Sequence, residues 1–122
     1  MSIQNVTRYS ELVARVVGQL REAHNFDQKQ FAEALGVSPS TWSRAENGQT
    51  GLSLDQLAGA ARVLKTTPAQ ILGYAENVAD QLKRRGVTVL VGKEAAQDDQ
   101  SFAYLGAAAL GALIAAILAK AK

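Results

Sequence analysis

The chain has no cysteine, a single histidine and only two prolines among its 122 residues. Without cysteine there is no disulfide framework and no thiolate zinc site, a composition that suits a reducing compartment. The lone histidine, His24, falls at an expected helix end with no evident nucleophile or orienting carboxylate. No catalytic residue, metal site or cofactor is therefore expected, and the chain does not read as an enzyme. Its glycines are not spaced as a phosphate-binding loop. Charge of one sign is also scarce, since 13 basic and 11 acidic residues leave a formal +2. Any affinity for a polyanion must then come from where the charges sit. The opening MSIQNVTRYSE lacks the basic-then-apolar order of a secretory signal, which points to the cytoplasm.

What is present is a succession of helix starts. Ser38-Pro39 and Thr67-Pro68 each place a capping hydroxyl before a proline at the first helical position, where a missing N–H costs nothing. Asp27 with Gln30, and Ser53 with Gln56, have the spacing of capping boxes. Helix 1 is predicted from a Ser10 cap to about Ala23, with Leu12, Val13, Val16, Val17 and Leu20 as its apolar stripe. Helix 2 follows Asp27, buries Phe31, Ala32 and Leu35, and ends at Gly36. Helix 3 follows Ser38, buries Trp42 and Ala45, and leaves Ser40, Thr41, Ser43 and Arg44 outward. Residues 47–51 read as a loop. Helix 4 opens at Ser53 and buries Leu54, Leu57, Ala61 and Leu64. Helix 5 opens at Thr67 and stops near Leu72 or runs on to Arg85. Helices 2 and 3, joined by a tight turn, form the unit that sets one helix in the major groove of DNA.

Residues 9–73 resemble the Cro/C1-type helix-turn-helix domain of phage repressors and the related bacterial XRE-type regulators. The matching residues are Gln28, Ala32, Leu35-Gly36-Val37, Ser38, Ser43-Arg44 and Glu46-Asn47-Gly48, then Leu54, Leu57, Ala61 and Leu64. The resemblance implies an all-α, five-helix, lambda-repressor-like DNA-binding domain. It also implies base contacts from Pro39, Ser40, Ser43 and Arg44. Of these, Arg44 has the best chemistry, because a guanidinium can bond guanine O6 and N7 together. Pro39 stands where the family often has glutamine, and it offers no donor. Gln28, at the start of helix 2, is expected to hold a phosphate, with Lys29, Asn47, Gln49 and Thr50 as weaker candidates. The resemblance also sets Arg21 opposite Glu46 as a structural ion pair that pins helix 3 to helix 1. Trp42 occupies a position the family keeps aliphatic, so it belongs in the core rather than stacked on a base.

The rest of the chain lies outside the resemblance. Residues 1–8 read as a tail. Residues 74–100 read as a linker with a dimerisation helix and a strand. Ile71, Ala75, Val78 and Leu82 have the spacing of a two-helix seam, facing either a partner or the chain's own domain. Residues 87–91, VTVLV between two glycines, read as a strand without an evident partner, which suggests pairing with its copy in a dimer. Residues 93–101 form a polar hinge.

Residues 101–122 are expected to form a separate hydrophobic helix. No residue from Phe102 to Ala119 is charged, a length at the lower edge of what spans a bilayer. Ala103, Ala107, Gly111, Ala115 and Ala119 form a ridge of small residues suited to a membrane or helix partner. Phe102 and Tyr104 at one end and Lys120 and Lys122 at the other would be interfacial anchors. Lys83, Arg84, Arg85 and Lys93 would keep the DNA-binding end on the cytoplasmic side of an inner membrane. A soluble oligomerisation helix is the competing expectation.

Three functions compete. The leading one is a sequence-specific transcriptional regulator, a dimeric repressor that reads a palindromic site in double-stranded DNA through helix 3. The second is a membrane-anchored adaptor whose helix-turn-helix binds protein, as in the bacterial rod-shape cytoskeletal adaptor. The third is a DNA-binding antitoxin.

Overall fold

A computed structural model describes residues 4–92, 102–104 and 106–120. The chain runs β1 (Gln4–Arg8), α1 (Tyr9–Ala23), α2 (Gln28–Leu35), α3 (Pro39–Glu46), α4 (Leu54–Val63), α5 (Pro68–Arg84), β2 (Thr88–Leu90), β3 (Phe102–Tyr104) and α6 (Ala107–Lys120). The fold is thus mostly helical, with one small sheet.

The helix starts follow local chemistry. Asp27 accepts from the Gln30 N–H at 2.7 Å while the Asp27 N–H donates to Gln30 Oε1 at 3.2 Å, so two orphan donors are satisfied. Ser53 and Gln56 repeat that exchange, with 3.0 Å in each direction. Ser38 Oγ and Thr67 Oγ1 each accept the N–H three residues on, at 3.1 Å. Gly36 ends α2 at φ 76°, a left-handed conformation that costs glycine little. Ser10 is not the cap of α1. Strand β1 runs directly into the helix, so Arg8 takes the cap position without a side-chain bond and Ser10 falls within the first turn.

The core lies between α1 and α5. Leu12, Val16 and Val17 meet Ile71, Ala75 and Val78, all of them buried. The seam on α5 therefore packs on the chain's own α1, and α5 runs through to Arg84. Tyr9 ties the two helices at the surface by donating to Glu76 Oε1 at 2.9 Å. Burial, together with the bond to Glu76, pushes the Tyr9 hydroxyl above its ordinary value of 10. Its stabilising contribution is therefore complete below pH 10 and fades as pH climbs through the raised value. In urea titrations Tyr9→Phe should show a shallower loss of stability above about pH 10 than the parent.

Leu54, expected in the core, is 83% exposed. It is the first residue of α4 and stays at the surface, while Leu57, Ala60 and Ala61 are the buried residues of that helix.

Residues 4–8, read from sequence as part of a tail, form the central strand of the sheet. The order is β2-β1-β3, and both neighbours run parallel to β1. Val6 pairs with Thr88 and Arg8 with Leu90; Gln4 pairs with Phe102. Strand β2 thus finds its partner within the chain, and pairing with a second copy is not needed to satisfy that edge. A parallel pair demands a long crossover, which here is the whole helical domain.

The C-terminal helix is not separate. Leu110, Leu113, Ile114 and Ile117 are buried, and α6 packs on α1 and α5. No described helix is long and apolar enough to cross a membrane. The uncharged run is divided, because residues 102–104 are strand and the helix starts only at Ala107. Its 14 residues span about 21 Å, short of a hydrocarbon core of roughly 30 Å. The small-residue ridge is divided with it. Ala103 lies in β3, Gly111 faces Gln19 of α1, and Ala115 and Ala119 are exposed. The side chains of Phe102, Tyr104 and Ala107, and all of Lys93, Ser101 and Lys122, lie outside the described residues.

Candidate nucleic-acid interface

Helix α3 has two unlike faces. Trp42 is fully buried, its ring centroid 5.1 Å from that of Phe31, and Ala45 is buried beside it. Pro39, Ser40 and Arg44 are exposed, and Ser43 is half-buried. Three small residues and one arginine form the outward surface, a profile that fits a major groove.

One carboxylate anchors the buried face. Glu46 Oε1 accepts from Arg21 Nη2 at 2.7 Å, and Oε2 accepts from Arg21 Nε at 3.0 Å. Oε2 also accepts from the Trp42 indole N–H at 2.6 Å. Arg21 Nη1 donates in turn to the Phe26 carbonyl at 2.5 Å, which reaches the turn before α2. These bonds to Glu46 raise the Arg21 pKa further, against the opposing effect of burial. Helices α1, α2 and α3 are thus joined through one guanidinium. Gly18 makes room for the arrangement. A Cβ there would stand 2.9 Å from Glu46 Cγ and Oε1, closer than atoms can sit.

Neither the Gly18 contact nor the indole bond follows from the sequence reading. A glycine inside the helix 1 stripe was the available signal for the first. The spacing of Trp42 and Glu46, one turn apart on α3, was the signal for the second.

Gln28, the first residue of α2, and Asn47, the C-cap of α3, line one cleft of about 220 Å³ with Arg21 and Glu46. Lys29, Gln49 and Thr50 are exposed outside that cleft. The Gln49 N–H donates to the Arg44 carbonyl at 2.9 Å, so the loop is tied to the end of α3. Gly48 sits there at φ 79°, and a side chain would also run into Glu11. His24 caps the end of α1, its Nδ1 2.8 Å from the Leu20 carbonyl.

The model of a helix-turn-helix domain family matches residues 12–72, from the core of α1 to the first turn of α5. The chain belongs to the helix-turn-helix family, in its Cro/C1 and XRE-like type. Two solved structures of the clp gene regulator ClgR from Corynebacterium glutamicum are similar to it, each at 26% identity. One covers 57% of this chain and 90% of its own, with a TM-score of 0.54. The other covers 63% and 83%, with a TM-score of 0.58. No curated protein matches. The matched domain ends where α5 begins, so the sheet and α6 lie beyond the family match.

Proposed function

We propose that this helix-turn-helix protein is a sequence-specific transcriptional regulator, a dimeric repressor that reads a palindromic operator through α3. The observation that carries the reading is the exposed Arg44 on a helix whose other face is fixed by Trp42 and Glu46. A reading side chain on a pinned helix meets a base at a defined position, which specificity requires. The likeness to ClgR, a gene regulator by its name, supports the same class. Base contacts fall to Pro39, Ser40, Ser43 and Arg44. Gln28 and Asn47 hold a phosphate in the cleft, with Lys29, Gln49 and Thr50 at its margin.

Support for the dimer comes from the opposite end of α1. Leu54 and Val91, the latter 51% exposed, are the large apolar residues left open among those described. Both border one uncharged groove of about 300 Å³, with Tyr9, Leu52 and Leu72. Two copies joined there would present two α3 helices, and half-sites about 34 Å apart are the expected spacing. The adaptor reading drew on a membrane-spanning tail, and no described helix has that length.

The test is selection of genomic fragments with the purified chain at two salt concentrations. Specific fragments should survive the higher salt, whereas non-specific binding collapses steeply. Arg44→Ala should then lose about 1–3 kcal/mol of discrimination at one base pair. Gln28→Ala should weaken every sequence alike. If both variants select as the parent does, the assignment of α3 and Gln28 is wrong.

A further inference from the structure

The cleft that contains Gln28 and Asn47 is not closed by the helix-turn-helix unit. Its remaining wall consists of Arg15, Gly18, Gln19 and Glu22 of α1 and Gly111 of α6, with the Glu22 carboxylate turned to Arg21 at 3.5 Å. Within it, Glu46 is held by Arg21 and Trp42, and Arg21 by Glu46, Glu22 and the Phe26 carbonyl. Arg15 is held more loosely: it forms an i,i+4 ion pair with Glu11, its Nη2 3.4 Å from Oε1, and reaches the Asn47 carbonyl at 3.5 Å. The side chain is a quarter exposed, and guanidinium N–H groups held only by long bonds can still donate to an anionic oxygen.

Beside it, Gln19 Nε2 donates to the Gly111 carbonyl at 2.8 Å, which fixes the plane of the carboxamide. The amide nitrogen still has a second hydrogen to give. We infer that Arg15 and Gln19 bind a phosphodiester oxygen of the DNA backbone next to the one at Gln28, with α6 as the positioning element through Gly111. This rests on the DNA-binding reading. It adds two residues of α1 to the backbone contact and gives α6, which lies outside the matched residues 12–72, a supporting part in binding.

The experiment is fluorescence anisotropy with the full chain on a selected duplex and an unrelated one, across a salt series, with thermal melts of each variant. Arg15→Gln should make the slope of log K against log salt shallower by about 0.9 on both duplexes. Gln19→Ala should weaken both by about tenfold. Gly111→Ala is the more telling variant. Its Cβ would stand 3.3 Å from Gln19 Nε2 and push the carboxamide a few tenths of an ångström off its present position, while alanine is the better helix former. It should weaken both duplexes without lowering the melting temperature, a pairing that mere support of the fold would not produce. The inference is overturned if Arg15→Gln and Gln19→Ala keep the parent's affinities and salt slope while Arg44→Ala still alters discrimination, an outcome that leaves the regulator reading intact. A parent chain that binds neither duplex overturns both.

Discussion

Replacing Glu46 by alanine should lower the unfolding free energy by about 3 kcal/mol, the lower end of the range for removing one partner of a buried ion pair. Glu46 is 7% exposed and accepts from three donors on two side chains. Without it, Arg21 keeps its charge in a buried position and the Trp42 indole loses its acceptor inside the core. The lower end applies because both residues line a cleft that opens to water. For a chain of this length the melting temperature should fall by roughly 10 °C. Glu46→Gln, which keeps oxygen and shape but not charge, should lose less. A melt of Glu46→Ala within a degree or two of the parent would mean that water already solvates the pair. The consequence for the proposed function is direct, because the same bonds hold α3 against α1 and so fix the helix that carries Arg44, the residue proposed to read a base.

The second large effect is expected far from that face. Ile114→Ala should cost about 2–5 kcal/mol, the range for truncating a fully buried large aliphatic side chain. Ile114 and its neighbour Leu110 on α6 are both 0% exposed and belong to the same core as α1 and α5. Ala116, on the outward face of the same helix, supplies the contrast. Ala116→Glu should change stability by no more than about 0.5 kcal/mol, as surface substitutions away from special features do. Urea titration of the two variants separates a docked helix from a detached one. If Ile114→Ala unfolds like the parent, α6 contributes nothing to the domain and the packing described here is wrong.

Helix starts were legible because their chemistry is local. Asp27 with Gln30, Ser53 with Gln56, and the hydroxyls before Pro39 and Pro68 all act within one turn of backbone, so their spacing along the chain is their spacing in the fold. The buried side of α3 was legible for the same reason, since Trp42 and Ala45 stand three apart. Ser10 shows the limit. It has the right chemistry for a cap, but the strand before it moved the start of the helix.

Contacts between distant segments had no such signature. QNVTR carries neither the alternation nor the β-branched richness of a strand, and it became one because VTVLV needed an edge to pair with. The uncharged tail could have been buried in protein or in lipid, since hydropathy measures only the wish to leave water. The open apolar surface along α1 and α5 settled that choice. Spacing, caps and the family pattern were thus written in the order of residues, and they bring DNA binding with them. Which surfaces close on each other, and so what stands behind Gln19 and Glu46, depended on three-dimensional fit, because burial is a property of neighbours that the chain brings together only on folding.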